Sequence, residues 1–138
     1  MERSPRAEEA DSGPAAGEDF AALLADFPWQ RPSARWRSAD PELATTLSRH
    51  VFDTLYGRQR IPLATRQLIA VSALAALRDP EELRVHLWVA LKAGVDRATL
   101  TEALFQIGTY AGLPATNQAL AVLEQVLQVI AQAEVGDP

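Results

Sequence analysis

Two histidines and a short run of arginines hold most of what this chain could use for acid–base or anion chemistry. His86 lies in the run Glu81-Glu-Leu-Arg-Val-His-Leu-Trp-Val-Ala-Leu-Lys-Ala-Gly94. Leu83, Leu87, Ala90 and Leu91 recur there at helical spacing and mark a buried face. His86, three residues after Leu83 and four before Ala90, points toward that face. An imidazole so placed is either a core residue tied to one hydrogen bond or the proton-transfer group of a buried site. Arg84 and Arg66 could grip a carboxylate with a bidentate fork or stabilise an enolate, or they are solvated helix-face cations. Asn117 could orient a substrate oxygen near a helix N-terminus, or bond locally at the helix start. Gln118 is its neighbour and a weaker candidate.

The remaining polar candidates have stronger bland readings. Glu102 falls off its helix's apolar stripe and reads as surface charge. Tyr110 and Tyr56 could donate a phenolic proton, but packing with a satisfied hydroxyl is commoner. His50 reads as a surface or capping residue, and nothing supports a Schiff-base role for Lys92, the sole lysine. Trp88 is taken as substrate-binding beside His86.

What the chain lacks narrows the chemistry. It has no cysteine, so thiol nucleophiles, redox CxxC pairs and thiolate metal sites are excluded. Two histidines make a histidine-rich metal site within one chain a poor expectation. A net charge of −5 argues against nucleic-acid binding. The glycines form no phosphate-binding loop. No apolar run approaches the ~20 residues of a membrane span. The acidic stretch Met1–Asp19 lacks the apolar core of a signal peptide. The expectation is a soluble cytoplasmic protein acting on a small molecule, with no cofactor or metal.

Helices must position these groups. Residues 1–19 read as a disordered acidic tail. Residues 20–39 read as an N-terminal arm: a short helical turn over Phe20–Phe27, then a Pro-punctuated irregular segment. That segment, Trp29–Arg37, either lids the site, on its own or a neighbouring subunit, or staples an oligomer; stapling is slightly favoured. Residues 40–134 read as one helical domain. Asp40-Pro41 is a cap followed by proline, and Leu43, Leu47, Val51 and Leu55 continue at steps of four to Gly57. Leu63–Leu77 is apolar nearly all round, as a central helix buried on most sides would be. Asp79-Pro80-Glu81-Glu82 starts the His86 helix, which ends at Gly94. Asp96 caps the next helix, with Leu100, Ala103, Leu104, Ile107 and Ala111 as its stripe. Ala119, Val122, Leu123, Val126, Leu127 and Ile130 give the last. The fold expected is all-α, five to six helices with antiparallel neighbours. Phe105, Val89 and Val129 are expected to leave apolar surface that a homo-oligomer would cover.

Several motifs in order resemble the carboxymuconolactone decarboxylase family. They are Leu63-Ala-Thr-Arg-Gln-Leu-Ile-Ala, Glu82-Leu-Arg-Val-His86, Ala93-Gly-Val-Asp, Glu102-Ala-Leu-Phe-Gln106 and Tyr110-Ala-Gly-Leu-Pro-Ala-Thr-Asn117. The resemblance runs from about residue 40 to 130. It implies an alkylhydroperoxidase D-like all-α subunit in a homo-oligomer, a trimer or hexamer. That superfamily's peroxidase branch pairs a CxxC with a histidine and a glutamate. Those positions fall here on Asp79, Glu82, His86 and Gln67, so thiol peroxidase chemistry has no groups to run on. The decarboxylase branch is closer, through the Leu83–His86 and Tyr110–Asn117 patterns. It implies cofactor-free conversion of γ-carboxymuconolactone to an enol-lactone, with His86 moving protons and Arg66, Arg84 and Asn117 holding the anion. Gln118 stands where family members often have a second histidine, which opens the substrate. Two alternatives remain: a natural-product tailoring enzyme (dehydration, cyclisation or decarboxylation of an aromatic or polyketide intermediate), and a non-catalytic oligomeric binding protein.

Overall fold

The computed structural model describes residues 16–136. Among them are α1 (Ala16–Leu24), α2 (Ala34–Ala39), α3 (Pro41–Ser48), α4 (Leu63–Ala76), α5 (Pro80–Lys92), α6 (Arg97–Ala111) and α7 (Leu113–Val135), and no strand. The all-α expectation holds. Residues 1–15 of the expected disordered tail lie outside the described residues, while 16–19 open α1 rather than belonging to a tail.

Caps set three of these starts. Asp40, Asp79 and Asp96 each accept a hydrogen bond from the backbone N–H three residues on, with Pro41 and Pro80 in the first turn of α3 and α5. α4 packs on α5 and α6 on α7, with α5 against α7 and α4 against α6 closing a four-helix core. α1 lies across this core, against α5 and the segment after α3. The short α4–α5 turn places Arg78 in the left-handed region, φ 57°.

The central helix is α5, not α4. Leu83, Val85, Leu87, Trp88, Val89 and Ala90 are all buried on α5, because α1, α4 and α7 pack around it. Val89, expected as exposed surface, is fully buried for this reason. α4 buries only Gln67, Val71 and Ala75 and leaves Ile69 58% exposed, so within one chain it is not enclosed on most sides. An apolar composition all round a helix did not distinguish burial within the chain from surface left open on it. Each fully buried leucine or valine contributes roughly 1.5–3 kcal/mol relative to exposure.

Two features depart from the expected helix pattern. The run through Leu55 is not one α-helix. After Ser48 it widens into a π-helical segment, Arg49–Leu55, closed by the Tyr56 N–H donating to the Val51 carbonyl at 2.9 Å. Gly57 follows because a Cβ there would collide with the Asp53 carbonyl. π turns of this kind re-aim side chains and recur at functional sites. The Trp29–Arg37 segment is not wholly irregular either: its second half is helical, in α2.

Candidate active site around His86

The amphipathic register of α5 turns His86 toward α1 and α4, where its side chain is 15% exposed. Its Nδ1 lies 2.8 Å from Gln67 Oε1. A carbonyl oxygen only accepts, so Nδ1 carries the hydrogen and the neutral ring keeps its lone pair on Nε2. Gln67 is itself fully buried, and its Nε2 donates to the Tyr56 hydroxyl at 3.2 Å. The three residues form a line of hydrogen bonds from the π segment through α4 to α5. Phe20 of α1 stacks on both ends of it, 4.2 Å from the Tyr56 ring centroid and 5.9 Å from that of His86.

Nε2, the free nitrogen, is 3.9 Å from Glu82 Oε2, one turn earlier on α5. Burial pushes the His86 pKa down to about 4. Burial first, then the neighbouring Asp79 and Glu81 carboxylates, raise that of Glu82. Both shifts disfavour the charged forms, so burial works against an ion pair here and leaves the imidazole neutral with its lone pair on Nε2. Burial also raises the Tyr56 hydroxyl's pKa, keeping it a phenol.

Both members of the pair line a cavity of about 80 Å³. Its walls are apolar: Phe20 and Leu24 from α1, Val51 and Phe52 from the π segment, Val85 from α5. Its mouth is formed by Arg31, Pro32, Ser33 and Trp36. The arm thus contributes lining to the cavity within the single chain. Arg35 anchors it, donating through both terminal nitrogens to the Glu81 carboxylate at 2.8 Å.

The other expected binding residues do not reach this cavity. Arg66 donates to the Arg58 carbonyl at 2.7 Å and lies over the Tyr56 ring. Arg84 bonds Gln125 and lies over Trp29. Both keep a buried Nε without a partner among the described residues. Trp88 is core: its indole N–H donates to the Leu23 carbonyl at 3.0 Å, and Lys92 sits 4.7 Å over its ring. Tyr110 is 81% exposed, Asn117 is exposed and Gln118 half-buried, none of them at the cavity. Glu102 and His50 are surface residues.

Sequence reasoning passed over three groups that the fold brings together. Gln67 had a signal, as the position that matches the glutamate of the peroxidase branch. Glu82 had the i,i+4 spacing to His86. Arg31 had none beyond its place in the arm.

A carboxymuconolactone decarboxylase family model matches residues 41–125. A 4-carboxymuconolactone decarboxylase of Acinetobacter baylyi is 35% identical over 82 residues, 59% of this chain and 61% of that protein. An uncharacterized 15.0 kDa protein in the nqo9-nqo10 intergenic region of Paracoccus denitrificans is 32% identical over 78 residues, 54% of this chain and 58% of that protein. The chain thus spans about three-fifths of the length of these curated relatives. Glu82, His86 and Gln67 fall inside the family match, whereas Phe20, Leu24 and the Arg31–Trp36 mouth precede it.

Proposed function

The chain belongs to the carboxymuconolactone decarboxylase family, and from that membership we propose that it is a cofactor-independent carboxy-lyase acting on a small carboxylated lactone or related anionic ring. The observation that carries the reading is the Glu82–His86 pair, 3.9 Å apart on the wall of an apolar cavity. Decarboxylation breaks the C–C bond to the carboxylate and sends its electron pair into the conjugated ring carbonyl. One proton must then reach carbon. An apolar surround favours loss of the carboxylate charge as CO2, because it solvates that charge poorly. In this scheme Glu82 passes a proton to His86 Nε2, which delivers it to the ring carbon as CO2 leaves; solvent then returns a proton to Glu82, and Gln67 holds the ring in the tautomer that leaves Nε2 free. Arg31, at the mouth, offers a cation to the anionic ring.

Two further parts belong to this proposal. The aromatic lining from Phe20, Phe52 and Trp36 suits a flat ring, which also keeps a natural-product tailoring reaction as the second reading. Ile69, Phe105, Tyr110 and Leu113 are more than half exposed, apolar surface that a homo-oligomer would cover. Sedimentation of the full chain tests the oligomer: a single species of trimer mass or larger supports it, and a monomer at tens of micromolar sinks it. Among the described residues no helix is long and apolar enough to cross a membrane.

The enzymatic test is CO2 release from γ-carboxymuconolactone, alongside a panel of carboxylated aromatic acids that would serve the second reading. Release from the lactone supports the carboxy-lyase; turnover of an aromatic acid alone moves the assignment to tailoring.

A further inference from the structure

The cavity at His86 holds about 80 Å³, well short of the roughly 300–1,000 Å³ of small-molecule sites. A ring bearing a carboxylate enters only if a wall moves. Most of the walls are fixed. Phe20, Leu24 and Val85 are core residues, and Val51 and Phe52 pack against that core. The remaining wall is the mouth, formed by Arg31, Pro32, Ser33 and Trp36. No residue from 30 to 39 is buried.

That stretch is anchored at its two ends and fastened once between them. Before it, Trp29 packs against Phe27 and edge-on to Trp88, with the Arg84 guanidinium 5.2 Å over its ring. After it, Asp40 caps α3 by accepting the Leu43 N–H at 3.0 Å, and α2 packs on α3. The N–H groups of Ala34, Arg35 and Trp36 donate back to Arg31, Pro32 and Ser33, within the stretch itself. Among the described residues its only side-chain hydrogen bonds to the rest of the chain are the two from Arg35 to Glu81. These side chains are 65% and 49% exposed, and an exposed ion pair holds weakly. Glu81 precedes Glu82, so this one fastening sits beside the acid–base pair.

We propose that residues 30–39 form a lid over His86, with Trp36 as its plug and the Arg35–Glu81 fork as its latch. The lid swings on its Trp29 and Asp40 ends. Latched, it covers the cavity; unlatched, it admits a molecule larger than the cavity now holds. This role rests on the reading of that cavity as a substrate site. Closure has a chemical use there, because excluding water keeps the surround apolar while the carboxylate charge is lost. The lid precedes residue 41, where the family match begins, so it belongs to this chain's own arm.

The chain has no cysteine and only two histidines, so labelling reads the lid directly. Diethyl pyrocarbonate acylates neutral imidazoles, and exposed His50 is the internal control for His86. In an Arg35→Cys/Glu81→Cys protein the lid is tied shut with a bis-methanethiosulfonate cross-linker, which reductant cleaves. Both positions are exposed, so the variants should fold, which thermal melts check. The cross-link should slow His86 labelling at least about tenfold, and reduction followed by desalting should restore it. Arg35→Gln should speed it about two- to fivefold, as loss of an exposed ion pair allows. His50 should label at one rate throughout. Equal His86 labelling with and without the cross-link overturns the lid, and Arg35→Gln labelling at the wild-type rate overturns the latch. Turnover separates this from the carboxy-lyase reading. A gated His86 with no CO2 released from any lactone keeps the lid and removes the reaction. CO2 release undiminished by the cross-link keeps the reaction and removes the lid.

Discussion

Gln67 Oε1 accepts the Nδ1 hydrogen of His86 at 2.8 Å, and this one contact decides which ring nitrogen faces Glu82. The amide can do so because its own nitrogen is committed to the Tyr56 hydroxyl. Replacing Gln67 with leucine frees the ring and strands Nδ1. Activity should fall about 10- to 100-fold, as when other orienting partners of histidine are lost. Replacing it with glutamate adds an anion beside the ring, and the His86 pKa should rise from about 4. Imidazole NMR titration reads both, and an unmoved pKa in the Gln67→Glu protein contradicts the orienting role.

The pH dependence of turnover follows from the pair. On the proposed mechanism the active form holds one proton between Glu82 and His86. Acid protonates the imidazole near pH 4 and stops the reaction. Base removes the Glu82 proton, at a pH that burial and then the Asp79 and Glu81 carboxylates raise from its ordinary value. The kcat/KM profile should be a bell with its acid limb near 4, belonging to the pair rather than to either residue. An acid limb near 6.5, the ordinary histidine value, would mean that His86 is not buried in solution.

Stability carries the same signature with two opposing signs. The folded state holds His86 below its unfolded pKa, so its contribution is complete above about pH 6.5 and lost as pH falls toward 4. Glu82 is raised instead, so its contribution is present in acid and lost as pH rises. Replacing His86 with asparagine removes the first effect alone. Relative to wild type, that variant should gain on the order of 3 kcal/mol between pH 6.5 and 4 in urea titrations. A constant difference across that range contradicts the buried neutral imidazole.

The fold was legible in the sequence wherever a local signal coincided with a tertiary one. Asp40, Asp79 and Asp96 caps and the stripe around Leu100 and Leu104 announced α3, α5 and α6. The ranking of α4 over α5 as the central helix failed because composition counts apolar residues but not neighbours; Val89 and Ile69 are chemically alike and lie at opposite extremes of burial. The site was half legible. His86 stood out as an ionisable group on an apolar face. Its cavity partners, Glu82 on the same helix and Arg31 some fifty residues earlier in the chain, meet only when the arm folds over α5. Arg66, Arg84 and Asn117 carried the right chemistry but face other surfaces.

Packing between α6 and α7 makes a separate, structural prediction. Gly108 faces Thr116, whose hydroxyl donates to the Leu104 carbonyl at 2.7 Å. A Cβ at Gly108 would lie 2.5 Å from that hydroxyl oxygen. Gly108→Ala should therefore cost about 1–3 kcal/mol by overpacking, with the active-site pair untouched. Equal melting temperatures of variant and wild type would show that the two helices yield there.

His86 is the group proposed to move a proton in the decarboxylation. The most direct measurement compares CO2 release from γ-carboxymuconolactone by wild type and His86→Ala, each shown by circular dichroism to be folded. Wild type should release CO2, and the variant should lose at least about 100-fold. Undiminished release by a folded His86→Ala protein would contradict it.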